Sequence, residues 1–207
     1  PATPVGDFDV AEELLPRTNL WPQVRYFGSA AFQPHEQGGF SARRVVRPDQ
    51  IRLLPAGVTT KQAALAEPFG VALHAIKQAG DVAGRTVPVT GAGPIGALAV
   101  ASAKALGASH VYAADLSQTA LSIATAMGAD SVIRVGVDEL PQDVEVVIEA
   151  SGSPKSISSI MPAVRRGGTV VQVGNLPGGE IAVALGQLVT REITYRGSYR
   201  FVDEISE

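Results

Sequence analysis

The chain is 207 residues long, 45% hydrophobic and 18% charged, enough apolar material for one full core and part of a second. Its formal charge of -3 and the isolation of its Arg pairs (Arg43-Arg44, Arg165-Arg166) exclude a nucleic-acid partner, and no apolar run approaches membrane-spanning length. With no cysteine, the chain has no disulfide, no thiolate chemistry and no cysteine-ligated metal, so any metal must be held by His and carboxylates.

The N-terminal part is broken by Pro and Gly. Its opening, "PATPVGDFDV", is acidic and Pro-rich, unlike a signal peptide, which points to a cytoplasmic protein. Here "DVAEELL" predicts one or two helical turns after an Asp cap, and "FSARRVVRP" and "QIRLLP" read as short strands. The texture changes near Lys61. The stretch "TKQAALAEPFGVALHAIKQAG" has a Thr cap, apolar residues at helical spacing and a Gly stop, with Pro68 breaking or restarting the helix.

From Arg85 a βα rhythm sets in: "RTVPVTGA" into "PIGALAVASAKALG", "HVYAADL" into "SQTALSIATAMG", then "SVIRV". It resumes with "VEVVIEASG", the helix "PKSISSIMPAVRR", the strand "GTVVQVGN" and a last strand "EITYRGSYR". Six strands with crossovers predict an α/β, Rossmann-type doubly wound parallel sheet. Pro88 inside the first strand predicts a local bulge, and "GVDELPQD" leaves room only for a trimmed helix between the third and fourth strands.

The glycines of "GAGPIG" have separate physical tasks. Gly91 makes the tight turn, Gly93 lets the backbone approach a pyrophosphate, and Gly96 allows the helix to pack closely on the strand. Pro94 suits an early helix position, and the free amides from Ile95 onward, with the helix dipole, favour an anion. Asp115 ends the next strand about twenty positions after Gly96, where a carboxylate accepts both ribose hydroxyls, although it could equally serve as a helix N-cap. Its neighbours Leu116 and Ser117 supply no Arg for a 2′-phosphate, and its own charge repels one, which favours NAD over NADP. Further candidates for cofactor contact follow the carboxyl ends of later strands: Ser151 and Gly152, Val173, Gly174 and Asn175, and Gly197 and Ser198. As strand terminators they are equally explicable.

Several stretches together, "NLW", "RYFGSAAFQPHEQGGF", "AALAEPFGVALHA", "VTGAGPIG", "EASGSP", "GGTVVQVGNLPGG" and "RGSYRF", resemble the medium-chain, zinc-dependent alcohol and polyol dehydrogenases, most closely the L-idonate 5-dehydrogenase and sorbitol dehydrogenase branch. The resemblance implies NAD in the Rossmann part, a catalytic zinc acting as Lewis acid, a small-molecule polyol or sugar-acid substrate, and a homo-oligomer, dimer or tetramer. It also implies that Glu67 in "AEPFG" is the glutamate at the metal, the one catalytic ligand position present; a helix-terminal carboxylate is the plainer reading. His35 in "QPHEQGG" matches a position near the family's cleft, against a simple loop histidine. His74 reads as packed or partly exposed rather than a ligand, and His110 as structural. Where the family's structural-zinc lobe has cysteines, this sequence has Asp7, Val10, Glu13 and Trp21, so the resemblance implies a metal-free lobe.

The organisation this implies is a partial GroES-like catalytic segment over 1-60, a connecting helix over 61-84 and an NAD-binding Rossmann domain over 85-207. The functional expectation is an NAD-dependent oxidoreductase of the polyol dehydrogenase type. Its activity as this chain is impaired or absent, for want of metal ligands. The alternative is a non-catalytic NAD-binding remnant or regulatory module.

Overall fold

In the computed structural model, which describes residues 10–22 and 24–207, the chain forms two compact units: residues up to Gly70 with Tyr199–Glu207, and Val71–Ser198.

The second unit is built on a six-stranded, all-parallel sheet in the order β3-β2-β1-β4-β5-β6. The strands are β1 (Thr86–Thr90), β2 (His110–Asp115), β3 (Ser131–Arg134), β4 (Val144–Glu149), β5 (Val164–Gln172) and β6 (Thr194–Gly197). Three helices follow from their caps. Pro94 occupies the first position of α3 (Pro94–Ala105), Ser117 Oγ accepts the Ala120 amide at the start of α4 (Gln118–Ala126), and Pro154 opens α5 (Pro154–Ile160). Because helices cover the sheet, its central strands bury apolar side chains on both faces: Val87, Val89, Val111, Val146 and Ile148 are fully buried. Val144, Val147, Ile157, Ile160, Met161, Val164, Val170 and Ile193 form one continuous cluster on the β4-β5 side.

Several local expectations are corrected. Pro88 causes no bulge, since β1 pairs with β2 without a break and the ladder to β4 begins only at Val89, so the missing N–H falls outside it. The irregularity lies instead between Val144 and Val146 on β4. No helix forms between β3 and β4; the segment turns back at once, with Val135 bridging Asp138. Helix α5 ends at Ile160 and a 3-10 turn, Met161–Ala163, leads straight into β5, which takes Arg165 and Arg166 that the sequence reading gave to the helix. The last strand is only Thr194–Gly197, preceded by a short helix, α6 (Gly186–Thr190).

In the first unit the Thr59 cap closes a box with Gln62 over α1 (Thr60–Ala63), and the chain restarts as α2 (Ala66–Gln78) with Pro68 in its first turn, where no intrahelical N–H is needed. Neither "FSARRVVRP" nor "QIRLLP" forms a strand: both run outside any ladder, and Pro48–Gln50 is a 3-10 turn. Phe40, Val45 and Leu53 accordingly stand almost wholly in solvent. "DVAEELL" gives one 3-10 turn, Glu12–Leu14, entered from Ala11 without a side-chain cap; Asp9 lies outside the described residues. A small core nevertheless exists. Phe201, 1% exposed, meets the Tyr26 ring edge-on at 6.4 Å, and Gly70 leaves the room that Phe201 fills.

Candidate functional site

At the carboxyl edge of the sheet, where the order reverses between β1 and β4, lies a cleft of about 790 Å³. Its walls include Gly91 after β1, Asp115 and Leu116 after β2, Val135 and Gly136 after β3, and Ser151 and Ser153 after β4. Such a reversal leaves a crevice because neighbouring crossovers depart to opposite faces of the sheet.

The three glycines of the loop divide by what a side chain would meet. A Cβ on Gly91, whose φ is +85°, would lie 2.5 Å from Ser151 Cα, and one on Gly96 would fall on the carbonyl oxygen of Gly91. Both absences are demanded by the fold itself. A Cβ on Gly93 would meet nothing within 4 Å, so the protein's own packing does not require glycine there. Gly93 is the N-cap of α3, no side chain caps the helix, and Pro94 spends no donor. The first-turn amides, Ile95 and Gly96 among them, are therefore the ones an anion beside Gly93 can use.

Asp115 turns its carboxylate toward this loop. Its Oδ2 accepts the Ala92 amide at 2.7 Å and its Oδ1 the Ser117 amide at 2.8 Å. The helix N-cap is Ser117, so Asp115 does not take the capping role that the sequence also allowed it. Each oxygen keeps a further lone pair, so acceptor capacity for two hydroxyls remains.

Across the reversal, the loops after β4 and β5 pack backbone on backbone. A Cβ on Gly152 would strike Asn175 O, and one on Gly174 would strike Gly152 N. Val173 and Gly174 both donate to Glu149 O at 2.9 Å, and Ser198, after Gly197 on β6, donates its amide to Gln172 O at 2.8 Å. The hydroxyl of Ser198 is buried with no partner among the described residues. Thus the candidates on β1, β2, β4, β5 and β6 all fall on the carboxyl edge of one sheet.

Glu149 and Gln172 were missed by the sequence reading. Glu149 is fully buried, and its carboxylate accepts the amides of Ser151 at 3.0 Å and Gly152 at 3.1 Å, the Ser151 hydroxyl, and Gln172 Nε2 at 2.6 Å. Gln172 in turn donates to Gly174 O and accepts the Tyr195 hydroxyl at 2.7 Å. Burial, and then the charge of Glu149, hold the Tyr195 phenol above its usual range. One signal could have exposed the group: a carboxylate closing the apolar run "VEVVIE" one residue before "ASG".

In the first unit, Glu67 is exposed in the first turn of α2. Arg200, with φ +54°, places its guanidinium 4.0 Å from the centre of the Tyr26 ring, and burial pushes the Tyr26 phenol up to about 12, opposed by Arg200 and assisted by Tyr199 and Glu67. His35 sits on an exposed loop, 2.8 Å from Gln33 Nε2, in no cluster with Glu67. His74 is buried, with Gln78 Nε2 at 3.2 Å, and His110 contacts Ser131 Oγ at 3.0 Å, both in line with packed, structural roles.

Among the described residues no three His, Cys, Asp or Glu converge to hold a metal ion. Glu67 therefore does not by itself fit a catalytic zinc, which needs three protein ligands. In the lobe, Val10 cannot ligate, and Trp21 instead clasps the segment by donating its indole N–H to Leu14 O at 2.8 Å; Asp7 lies outside the described residues.

Residues 94–207 match the family model described as "Zinc-binding dehydrogenase". The chain is 37% identical over 194 residues to "L-idonate 5-dehydrogenase (NAD(P)(+))" of Escherichia coli K12, covering 91% of this chain and 56% of that protein. It is 32% identical over 196 residues to the sorbitol dehydrogenase of Bacillus subtilis 168, covering 90% and 54% respectively. The crystal structure of the E. coli L-idonate 5-dehydrogenase superposes with a TM-score of 0.92 at 34% identity, over 98% of this chain and 60% of that one. The chain thus spans little more than half the length of the curated relatives it matches. No helix among the described residues is long and apolar enough to cross a membrane.

Proposed function

The chain belongs to the zinc-binding dehydrogenase family, and from that premise we propose that it binds NAD(H) in the cleft between β1 and β4, as the cofactor half of a cytoplasmic polyol or sugar-acid dehydrogenase. The observation that carries this reading is Gly93. The fold needs glycine at 91 and 96, and what remains to require it at 93 is a ligand approaching the backbone. The first-turn amides of α3, with Pro94, Ile95 and Gly96, face the pyrophosphate, and Asp115 accepts the adenosine ribose hydroxyls. Ser151, Gly152, Val173, Gly174, Asn175, Gly197 and Ser198 frame the other nucleotide. NAD(H) held by these residues would supply hydride transfer to or from the carbon of a secondary alcohol.

The name of the E. coli relative covers both nicotinamide cofactors, so the preference for NAD rests on Asp115, whose charge opposes a 2′-phosphate. The alcohol is the weaker half of the reading. Glu67 stands where the family resemblance puts a metal-linked glutamate, but the described donor set does not complete a zinc site, and no step is derived through one. That deficit favours a second reading, a nucleotide-binding module without turnover. On either reading we assign residues 1-60 to a GroES-like segment, and β6, an edge strand of the sheet, offers the template for pairing two copies.

Calorimetric titration with NADH and NADPH tests the cofactor assignment: NADH is expected to bind more tightly, and equal or tighter NADPH binding removes Asp115 from its role. Assay of L-idonate and sorbitol with NAD, with and without added zinc, separates the two readings of the chain.

A further inference from the structure

Resting on the assignment of NAD(H) to this cleft, we propose that Glu149 is a positioning residue for the nicotinamide half of the cofactor. It is the last residue of β4, the first strand beyond the point where the sheet order reverses, and it lies under the loops that follow three adjacent strands.

Its connections reach each of them. On the β1 side, Thr90 Oγ1 stands 3.5 Å from Glu149 Oε1, and Thr90 O takes the Ala150 amide at 2.7 Å. In its own loop it holds the Ser151 and Gly152 amides. On the β5 side its carbonyl takes the Val173 and Gly174 amides, and its Oε2 takes the Gln172 side chain. The Ala150-Ser151 peptide fixed in this way is the one that packs directly on Gly91.

The polarity of the network is determined. Backbone amides can only donate, and the Gln172 amide that faces Glu149 also donates to Gly174 O, while its oxygen is taken by Tyr195. The Ser151 and Gly152 amides and Gln172 Nε2 can only donate, so both carboxylate oxygens are held as acceptors. A buried carboxyl group at this place is not needed to close the sheet, whose β1-β4 and β4-β5 ladders already join these strands. What it adds is a fixed course for loops 150-153 and 173-175.

In a sheet of this order the two nucleotides lie on either side of the reversal, one over β1-β2-β3 and one over β4-β5-β6. Asp115 and the first-turn amides of α3, which serve the first half, make no hydrogen bond to Glu149, and that half meets it only through the Ala150-Ser151 peptide packed on Gly91. The second half rests on loops that Glu149 sets.

The separating experiment titrates the full chain and its Glu149→Gln variant with NADH and with AMP, which occupies only the Asp115 side. In the variant an NH₂ group must face either the Ser151 amide or the Gly152 amide and Gln172 Nε2, donor against donor in a buried place, and the loops shift to relieve it. NADH binding is expected to weaken about tenfold or more while AMP binding changes less than about twofold. Equal weakening of both ligands would show general loosening and overturn the proposal; so would unchanged NADH binding. Should Glu149→Gln not fold, Gln172→Leu, which removes one donor and spares the backbone contacts, must show the same split in smaller degree, and its failure to do so counts equally against the proposal. Wild-type protein that binds no NADH removes the cofactor assignment and this inference together, whereas wild-type binding with variants that match it removes this inference alone.

Discussion

The two units treat apolar side chains in opposite ways. In the sheet, Val87, Val89, Val111, Val146 and Ile148 are sealed between layers, whereas in the stretch 40–58 Phe40, Val45 and Leu53 stand in solvent although their local sequence favours strands as strongly. The difference is one of partners. Each strand of the sheet finds its neighbour within a βα crossover of its own unit, while the extended segments of the first unit meet no ladder among the described residues. Strand propensity describes a fit to a pleated surface that something else must supply. The candidate nucleotide site belongs wholly to the sheet unit, and Glu67 and His35 to the other.

The largest effect expected from that division is on turnover. Among the described residues no donor set for a Lewis acid converges, and a site lacking one forgoes several kcal/mol of transition-state stabilisation, so oxidation of L-idonate or sorbitol by these 207 residues is expected at least ~1,000-fold below that of the longer relatives. NADH binding should persist. Zinc-dependent turnover that vanishes in Glu67→Ala would show that the first unit completes a metal site after all and would erase the contrast.

Within the sheet unit, the glycine loop sharpens the comparison between fold and ligand. Gly96→Ala drives a methyl into the Gly91 carbonyl, and overpacking of this kind costs roughly 3 kcal/mol or more, read as a lowered unfolding midpoint. Gly93→Ala meets nothing in the protein, so the stability read from its unfolding midpoint should drop by no more than the roughly 1 kcal/mol that alanine costs at an N-cap, while NADH affinity falls about tenfold. A Gly93→Ala variant with full affinity would remove the observation on which the cofactor assignment leans most.

The sequence made these positions readable because each answers a local backbone demand: the φ of +85° at Gly91, the helix start at Pro94 and the strand end at Asp115 constrain residue type at fixed spacing. Glu149 answers a demand made at a distance. Its partners Gln172 and Tyr195 come from the next two strands, and nothing around "VIEASG" announces them. The same reason explains the errors. Arg165 and Arg166 continue the helical pattern of "PKSISSIMPAVRR", yet β5 claims them, and "FSARRVVRP" reads like a short strand but pairs with no strand among the described residues.

Asp115 offers a milder test of the same division. Asp115→Ala withdraws the acceptors for the ribose and the charge that opposes a 2′-phosphate, and hydrogen bonds to a charged group contribute roughly 1.5–3 kcal/mol. NADH affinity should fall ~10-fold to 100-fold, while NADPH affinity falls less or rises, so that their ratio approaches one. Because the Ala92 and Ser117 amides lose their acceptor as well, the unfolding midpoint should drop modestly. A preserved NADH preference in the variant would mean that another part of the cleft rejects the phosphate.

The smallest effect at neutral pH lies in the first unit, at Tyr26. Its ring is buried under Arg200, but its hydroxyl is buried with no partner among the described residues, so Tyr26→Phe removes an unmet desolvation cost and should leave stability at pH 7 within about 1 kcal/mol of wild type or slightly above it. Alkali enlarges the difference. Burial raises the phenol from 10.0 to about 12, so between those values the folded chain keeps a proton that the unfolded chain releases. The folded state then binds more protons, and its stability falls as pH rises through that window, by about 2 kcal/mol in all. Urea unfolding at pH 8, 10 and 11.5, followed by a probe in the first unit, should show the wild type losing stability to alkali and Tyr26→Phe losing less. Parallel losses in both proteins would place the alkaline transition elsewhere, and would mean that the small core around Phe201 opens to water before Tyr26 ionises.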